Sequence, residues 1–168
     1  MKQITIISLV VLTVIGGAVL LFKFGNTKPS DIPEQGEAIA LQPATHIEIG
    51  AAHDPYNSNP PTSGPHYAQP ANWGIYKQPL PDEQAIHNLE HGGIWISYKD
   101  IDQDTISKLE DIAKRNPGSV ILTPRPNDDT KISLASWGRL QKLTSFDQKT
   151  ILDFIKGNKN KSPEKMAQ

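Results

Sequence analysis

The chain has 168 residues, with 17 Lys and Arg against 18 Asp and Glu for a net charge of -1, and no cysteine. So balanced a charge with no basic cluster argues against a nucleic-acid-binding protein. The missing thiols exclude a disulfide framework and thiolate metal sites, so any bound metal must be held by imidazole and carboxylate.

Residues Ile4 to Phe22 carry no charge and no proline. An apolar run of about 20 residues is long enough to cross a bilayer as a helix. Bulky Leu20-Leu21-Phe22 stand where a cleaved signal would place small residues. Residues 1–24 are therefore read as an uncleaved signal anchor, single-pass in the cell membrane, with the rest of the chain outside the cytoplasm. Lys2 before the run and Lys23 and Lys28 after it give the orientation little further support. Residues 25–44 are polar and contain prolines, and are expected to form a flexible tether. Residues 45–160 are expected to form one small globular domain, and residues 161–168 a frayed tail.

His46-Ile47-Glu48-Ile49 alternates like a half-buried strand. Ala51 to Gln78 holds five prolines and reads as a long loop, kept from disorder by Tyr56, Tyr67, Trp73 and Tyr76. Asp82 to His91 reads as a short helix, started by Pro81 and Asp82 and stopped by Gly92. Ile94 to Tyr98 reads as a strand. Asp102 to Arg115 places Ile106, Leu109, Ile112 and Ala113 on one helical face, and Asn116-Pro117-Gly118 ends it. Strands are expected at Ser119–Thr123 and Lys131–Ser136. A capping box at Ser145-Phe146-Asp147-Gln148 opens a last helix carrying Ile151, Leu152 and Ile155, ended by Gly157. The order suggests an α+β domain, loop-rich, with a mixed sheet.

Three of the five histidines lie in two short segments, Pro60-Pro61-Thr62-Ser63-Gly64-Pro65-His66 and His87-Asn88-Leu89-Glu90-His91-Gly92-Gly93. The four-residue spacing of His87 and His91 puts both rings on one face of a helix. With His66 from the loop they make a three-imidazole set, and Glu90 is a fourth ligand or an acceptor behind the ligands. His53 is a further candidate. Imidazole donors suit copper(II) or zinc(II). The bland alternative is a His–Glu pair that only holds a loop. His87-Asn88-Leu89-Glu90-His91 also fits H-x-x-E-H, in which Glu90 would be the general base of a zinc hydrolase. The early stop at Gly92-Gly93 and the small domain argue against a peptidase cleft, so no catalytic residue is assigned. Trp73, Trp95 and Trp137 are expected as core and loop anchors rather than the lining of a groove. Phosphate-loop and dinucleotide fingerprints are absent from the sequence.

The two histidine segments, with Gly74-Ile75-Tyr76, Ser136-Trp137-Gly138-Arg139, Phe154-Ile155 and Pro163-Glu164, together resemble the bacterial family known as domain of unknown function 3105. The resemblance spans about Thr45 to Glu164. It implies a domain carried at the membrane by one N-terminal helix, and it makes a shared site at His66, His87, Glu90 and His91 more plausible without naming an activity. The expected function is a membrane-anchored extracytoplasmic domain with a histidine site for copper or zinc. The rival expectation is an envelope module that binds a protein partner and uses its histidines structurally.

Overall fold

The computed structural model describes residues 32–168. The apolar run expected to form the membrane anchor, and most of the first half of the expected tether, lie outside the described residues. Among the described residues no helix is long and apolar enough to cross a membrane.

The fold is α+β, with three helices and a mixed sheet among the described residues. The strands are β1 (Glu37–Ala38), β2 (His46–Ile47), β3 (His66–Tyr67), β4 (Gly74–Ile75), β5 (Ile94–Tyr98), β6 (Val120–Pro124), β7 (Ile132–Ser136) and β8 (Arg139–Leu143). The helices are α1 (Asp82–Glu90), α2 (Gln103–Lys114) and α3 (Gln148–Asn158). Six strands form one sheet in the order β1-β8-β7-β5-β6-β4, and β2 and β3 form a separate parallel pair. β6 runs parallel to both β4 and β5, while β7 is antiparallel to β5 and β8.

Alternation along the central strands builds a core on each face of the sheet. Ile94, Ile96 and Tyr98 of β5, with Val120 and Leu122 of β6, pack against Leu109 and Ile112 of α2 and Phe154 of α3. The intervening Trp95 and Ile121 turn to the other face and meet Ala85, Ile86 and Leu89 of α1. Each fully buried Ile or Leu contributes about 1.5–3 kcal/mol relative to exposure, so two such layers suffice for a domain of this size.

The helix ends follow from local chemistry. Asp82 and Glu83 place negative charge in the first turn of α1, where the helix dipole favours it. Gly92, at a φ of 87°, closes the other end, its N–H bonded to the carbonyl of Leu89. Asp102 caps α2 by accepting from the Thr105 N–H. α3 is capped by Asp147, accepting from Thr150 N–H, and not by Ser145 as the capping-box reading expects. Its carboxylate accepts from both the amide and the hydroxyl of Thr150. The helix also runs through Gly157, whose bare Cα is needed because a Cβ there would lie 2.6 Å from the Pro33 carbonyl.

One strand is missing from the sequence reading, and two of its expectations are corrected. β8 was hidden in sequence by its polar Arg139, Gln141 and Lys142. It forms a hairpin with β7 through the two-residue loop Trp137-Gly138, Gly138 lying at a φ of 68°. The tether does not stay free up to residue 44. From Pro33 onward it binds the domain: β1 pairs with β8, and the Gln35 backbone and Asn158 amide bond reciprocally. The tail does not fray. The N–H groups of Met166 and Ala167 both bond the His91 carbonyl, and the N–H of Glu164 bonds that of Glu90, satisfying acceptors that the end of α1 leaves open.

The long loop after β2 is likewise pinned. The Asn88 side-chain amide bonds both the N–H and the carbonyl of Ala71, and the Tyr56 hydroxyl donates to the Pro65 carbonyl at 2.7 Å. Trp73 lies over Gly93. A Cβ at Gly93 would collide with the indole and stand 2.9 Å from the Asn88 carbonyl. Gly93→Ala is therefore expected to cost about 1–3 kcal/mol by overpacking, read as a lower denaturant midpoint at unchanged slope. A midpoint equal to that of the unaltered protein would show that Trp73 moves aside freely.

Candidate metal centre

α1 delivers His87 from its last full turn, and its end brings Glu90 and His91 alongside. The Nδ1 of His87 lies 2.6 Å from the Tyr67 carbonyl. The Nδ1 of His66 lies 2.8 Å from the Gly64 carbonyl. A carbonyl can only accept, so both rings are assigned their proton on Nδ1 and present a lone pair at Nε2. This is how proteins fix a histidine that is to ligate a metal. The parallel pairing of β2 and β3 sets His46 directly opposite His66. Its ring stacks on His87 with centroids 5.1 Å apart and meets His66 edge-on at 4.9 Å.

His46, His66 and His87 thus converge, each offering a ring nitrogen within 4.8 Å of the others, close enough to hold one metal ion. His66 is fully buried, His87 is 5 % exposed and His46 is exposed, so the group opens to solvent on the His46 side. The other two residues singled out in sequence sit beside it. Glu90 places a carboxylate oxygen 3.0 Å from the Nε2 of His66. His91 places its Nε2 3.0 Å from that of His87 and 3.0 Å from a carboxylate oxygen of Glu164. His53 stands apart, between the Asp54 carbonyl and the Glu83 carboxylate. Trp95 and Trp137 are buried in the core, as expected of anchors.

The electrostatics of the group favour a cation. The Nε2 of His66 is buried without a hydrogen-bond partner although the Glu90 carboxylate stands 3.0 Å away. With the proton on Nδ1, two acceptors face each other. Leaving a buried polar atom unpaired costs about 1–3 kcal/mol, and a cation bound by both atoms from one side removes that penalty. Burial, the largest cause, pushes His87 below the ordinary imidazole pKa, and the neighbouring rings of His91, His66 and His46 push the same way against the Tyr67 carbonyl. Its ring is thus kept neutral and able to ligate.

In sequence His46 is part of a strand and Glu164 part of the Pro163-Glu164 segment of the resemblance, and neither stands out as a ligand. No local pattern marks either. His46 reaches the group through strand pairing with a residue 20 positions on, and Glu164 through the return of the tail to α1.

These features define a small α+β domain with a histidine cluster suited to one metal ion. The chain belongs to the family described as Protein of unknown function (DUF3105), whose model matches residues 51–168. That span contains His66, His87, Glu90, His91 and Glu164, and His46 precedes it. No curated protein and no solved structure matches the chain.

Proposed function

We propose that this protein is a membrane-anchored extracytoplasmic domain that binds one divalent transition metal, copper(II) or zinc(II), through His46, His66 and His87, with Glu90 as the fourth donor. The observation that carries the reading is the buried lone pair of His66 facing a carboxylate. Three imidazoles and one carboxylate suit zinc, and the affinity order favours copper(II) where it is present. The chain has two methionines, Met1 and Met166, and no cysteine, so soft-ligand copper(I) chemistry has no donors here. Glu90 stands against the nitrogen that would bind the metal, which favours a ligand over the general base of a hydrolase. The N-terminal apolar run would hold the domain at the membrane.

The test is the metal content of the whole protein, purified in detergent without a polyhistidine tag, followed by titration with copper(II) and zinc(II). About one equivalent is expected. A folded protein that takes up neither ion retires the metal reading and leaves the protein-interaction module. Binding is also expected to weaken with acid. Protons compete for Nε2 as the pH falls through the ordinary histidine value of about 6.5. Because the His87 value is lowered, its share of the loss begins below that point. Affinity unchanged at about pH 5 would show that imidazoles are not the ligands.

A further inference from the structure

The described chain enters the domain at the end of α3, where the Pro33 carbonyl lies against Gly157 and the Gln35 backbone bonds the Asn158 amide. Two residues on, the N–H of Asn160 donates to the Gly92 carbonyl, just before β5, and its side-chain amide bonds both the N–H and the carbonyl of Ala167. The segment so fixed lines an open groove of about 360 Å³ together with Leu41 and Trp137. Its apolar residues are Leu41, which is 61 % exposed, Trp137 and Pro163, and its lysines are Lys161 and Lys165. Lys156, in the last turn of α3, and Lys159 adjoin the same helix end. Lys156 and Lys165 are exposed and make no ion pair among the described residues. Residues 156–168 thus hold four lysines and one acidic residue, Glu164, in a chain whose net charge is -1.

We infer that this lysine-edged groove is the face on which the domain rests against an anionic phospholipid surface; the inference rests on the membrane anchor of the reading above and not on its metal. The apolar run ends at Phe22, and the described chain begins at Ile32. The ten steps between them span at most about 35 Å even when fully extended, so the end of α3 is where the chain fastens the domain to the bilayer. Apolar side chains enter the headgroup boundary while lysines beside them meet lipid phosphates, and the two attractions add. Docking there fixes an orientation. The groove lies at the start of β5, beside Gly92, whereas α2 begins beyond the other end of that strand, so Gln103 is carried away from the lipid. Pro163 and Lys165 flank Glu164, whose carboxylate meets His91. The docked domain therefore holds its histidine group close to the membrane surface.

The test uses the whole protein, reconstituted into vesicles of phosphatidylcholine alone or of phosphatidylcholine mixed with phosphatidylglycerol. The chain has no cysteine, so Leu41→Cys and, separately, the exposed Gln103→Cys each give a single position for an environment-sensitive fluorophore. Lipid carrying a quencher on its acyl chains then reports contact. The fluorophore at Leu41→Cys is expected to be quenched about twofold or more where phosphatidylglycerol is present and far less in phosphatidylcholine alone, and that at Gln103→Cys in neither. Adding Lys156→Gln and Lys165→Gln to Leu41→Cys is expected to weaken docking by roughly 10- to 30-fold, the combined pull of two lysines toward an anionic surface, and so to remove most of the quenching. No quenching at Leu41→Cys in either vesicle overturns the proposal, as does equal quenching at Gln103→Cys, which would mean that no one face meets the lipid. Quenching that survives the two lysine substitutions overturns it too, since the surface would then not be met through its charge. A fluorophore shielded from water but untouched by the quencher would give the groove to a second copy of the chain in place of lipid. A protein that does not float with phosphatidylcholine vesicles refutes instead the anchor on which the proposal rests.

Discussion

Replacing His87 by alanine is expected to abolish stoichiometric metal binding while leaving the protein folded. The ring has two jobs. Its Nδ1 is held by the Tyr67 carbonyl, its Nε2 lies 3.0 Å from that of His91, and the ring is one of the three in the triad. Loss of the first costs about 1 kcal/mol, the net worth of one hydrogen bond. Loss of the second leaves two imidazoles, one of them exposed. Removing a partner that merely orients a ligand costs roughly 10- to 100-fold in affinity, and removing the ligand itself is expected to cost more. Calorimetric titration and a thermal melt of the same sample separate the two. Lost binding with a melting temperature close to the original supports the assignment. Retained binding would show that His87 is not a ligand. Collapse of the fold in a protein that never bound metal would instead make the histidines structural.

The second large effect lies at the opposite end of α1. Arg125 is 6 % exposed and is held by four hydrogen bonds to three side chains. Asp82, at the start of α1, takes Nε and Nη2 at 2.9 and 2.6 Å. Nη1 donates to Asp128 at 2.6 Å and to the side-chain Oδ1 of Asn59 at 2.5 Å. Asp128 is itself buried and also accepts from Ser97 at 2.6 Å. One guanidinium therefore ties together the long loop, α1, the end of β6 and β5, and it lies over the Trp95 ring with 5.6 Å to the centroid. Arg125→Ala would strand the carboxylate of Asp128 away from water. Breaking a buried pair in this way costs about 3–5 kcal/mol, which for a domain of this size lowers the melting temperature by roughly 10 °C or more. Arg125→Lys keeps the charge but loses the two-pronged bond to Asp82, and is expected to fall between. A loss below about 1 kcal/mol in Arg125→Ala would mean that water reaches the network and screens it.

Much of the scaffold was legible from sequence because it depends on local chemistry. The apolar residues of β5, Ile94 to Tyr98, and the one-sided face of α2 announce themselves, and Gly92 and Asn116-Pro117-Gly118 mark where helices stop. What was missed depends on distance. Nothing beside His46 tells that it will lie opposite His66, since the parallel pairing exists only once the loop between them has closed. Pro163-Glu164 is part of the family pattern, but nothing beside it tells that the carboxylate will meet His91 until the tail returns to the end of α1. β8 was missed for another reason. Lying between the two-residue edge strand β1 and β7, it has only one buried residue, Leu140, so its pattern is too dilute to read.

The arrangement of layers has a consequence for how such a protein can change over generations. Every donor in the cluster comes from β2, β3 or α1. The helices α2 and α3 supply apolar packing to the far face of the sheet and no donor. If the cluster holds a metal as proposed, change on that far side is constrained by volume and stability, and the near side by donor geometry as well. Two selective pressures are thereby assigned to two sides of one sheet. A lineage could remodel its outer helices, or graft new loops between them, while the imidazoles stayed where they are.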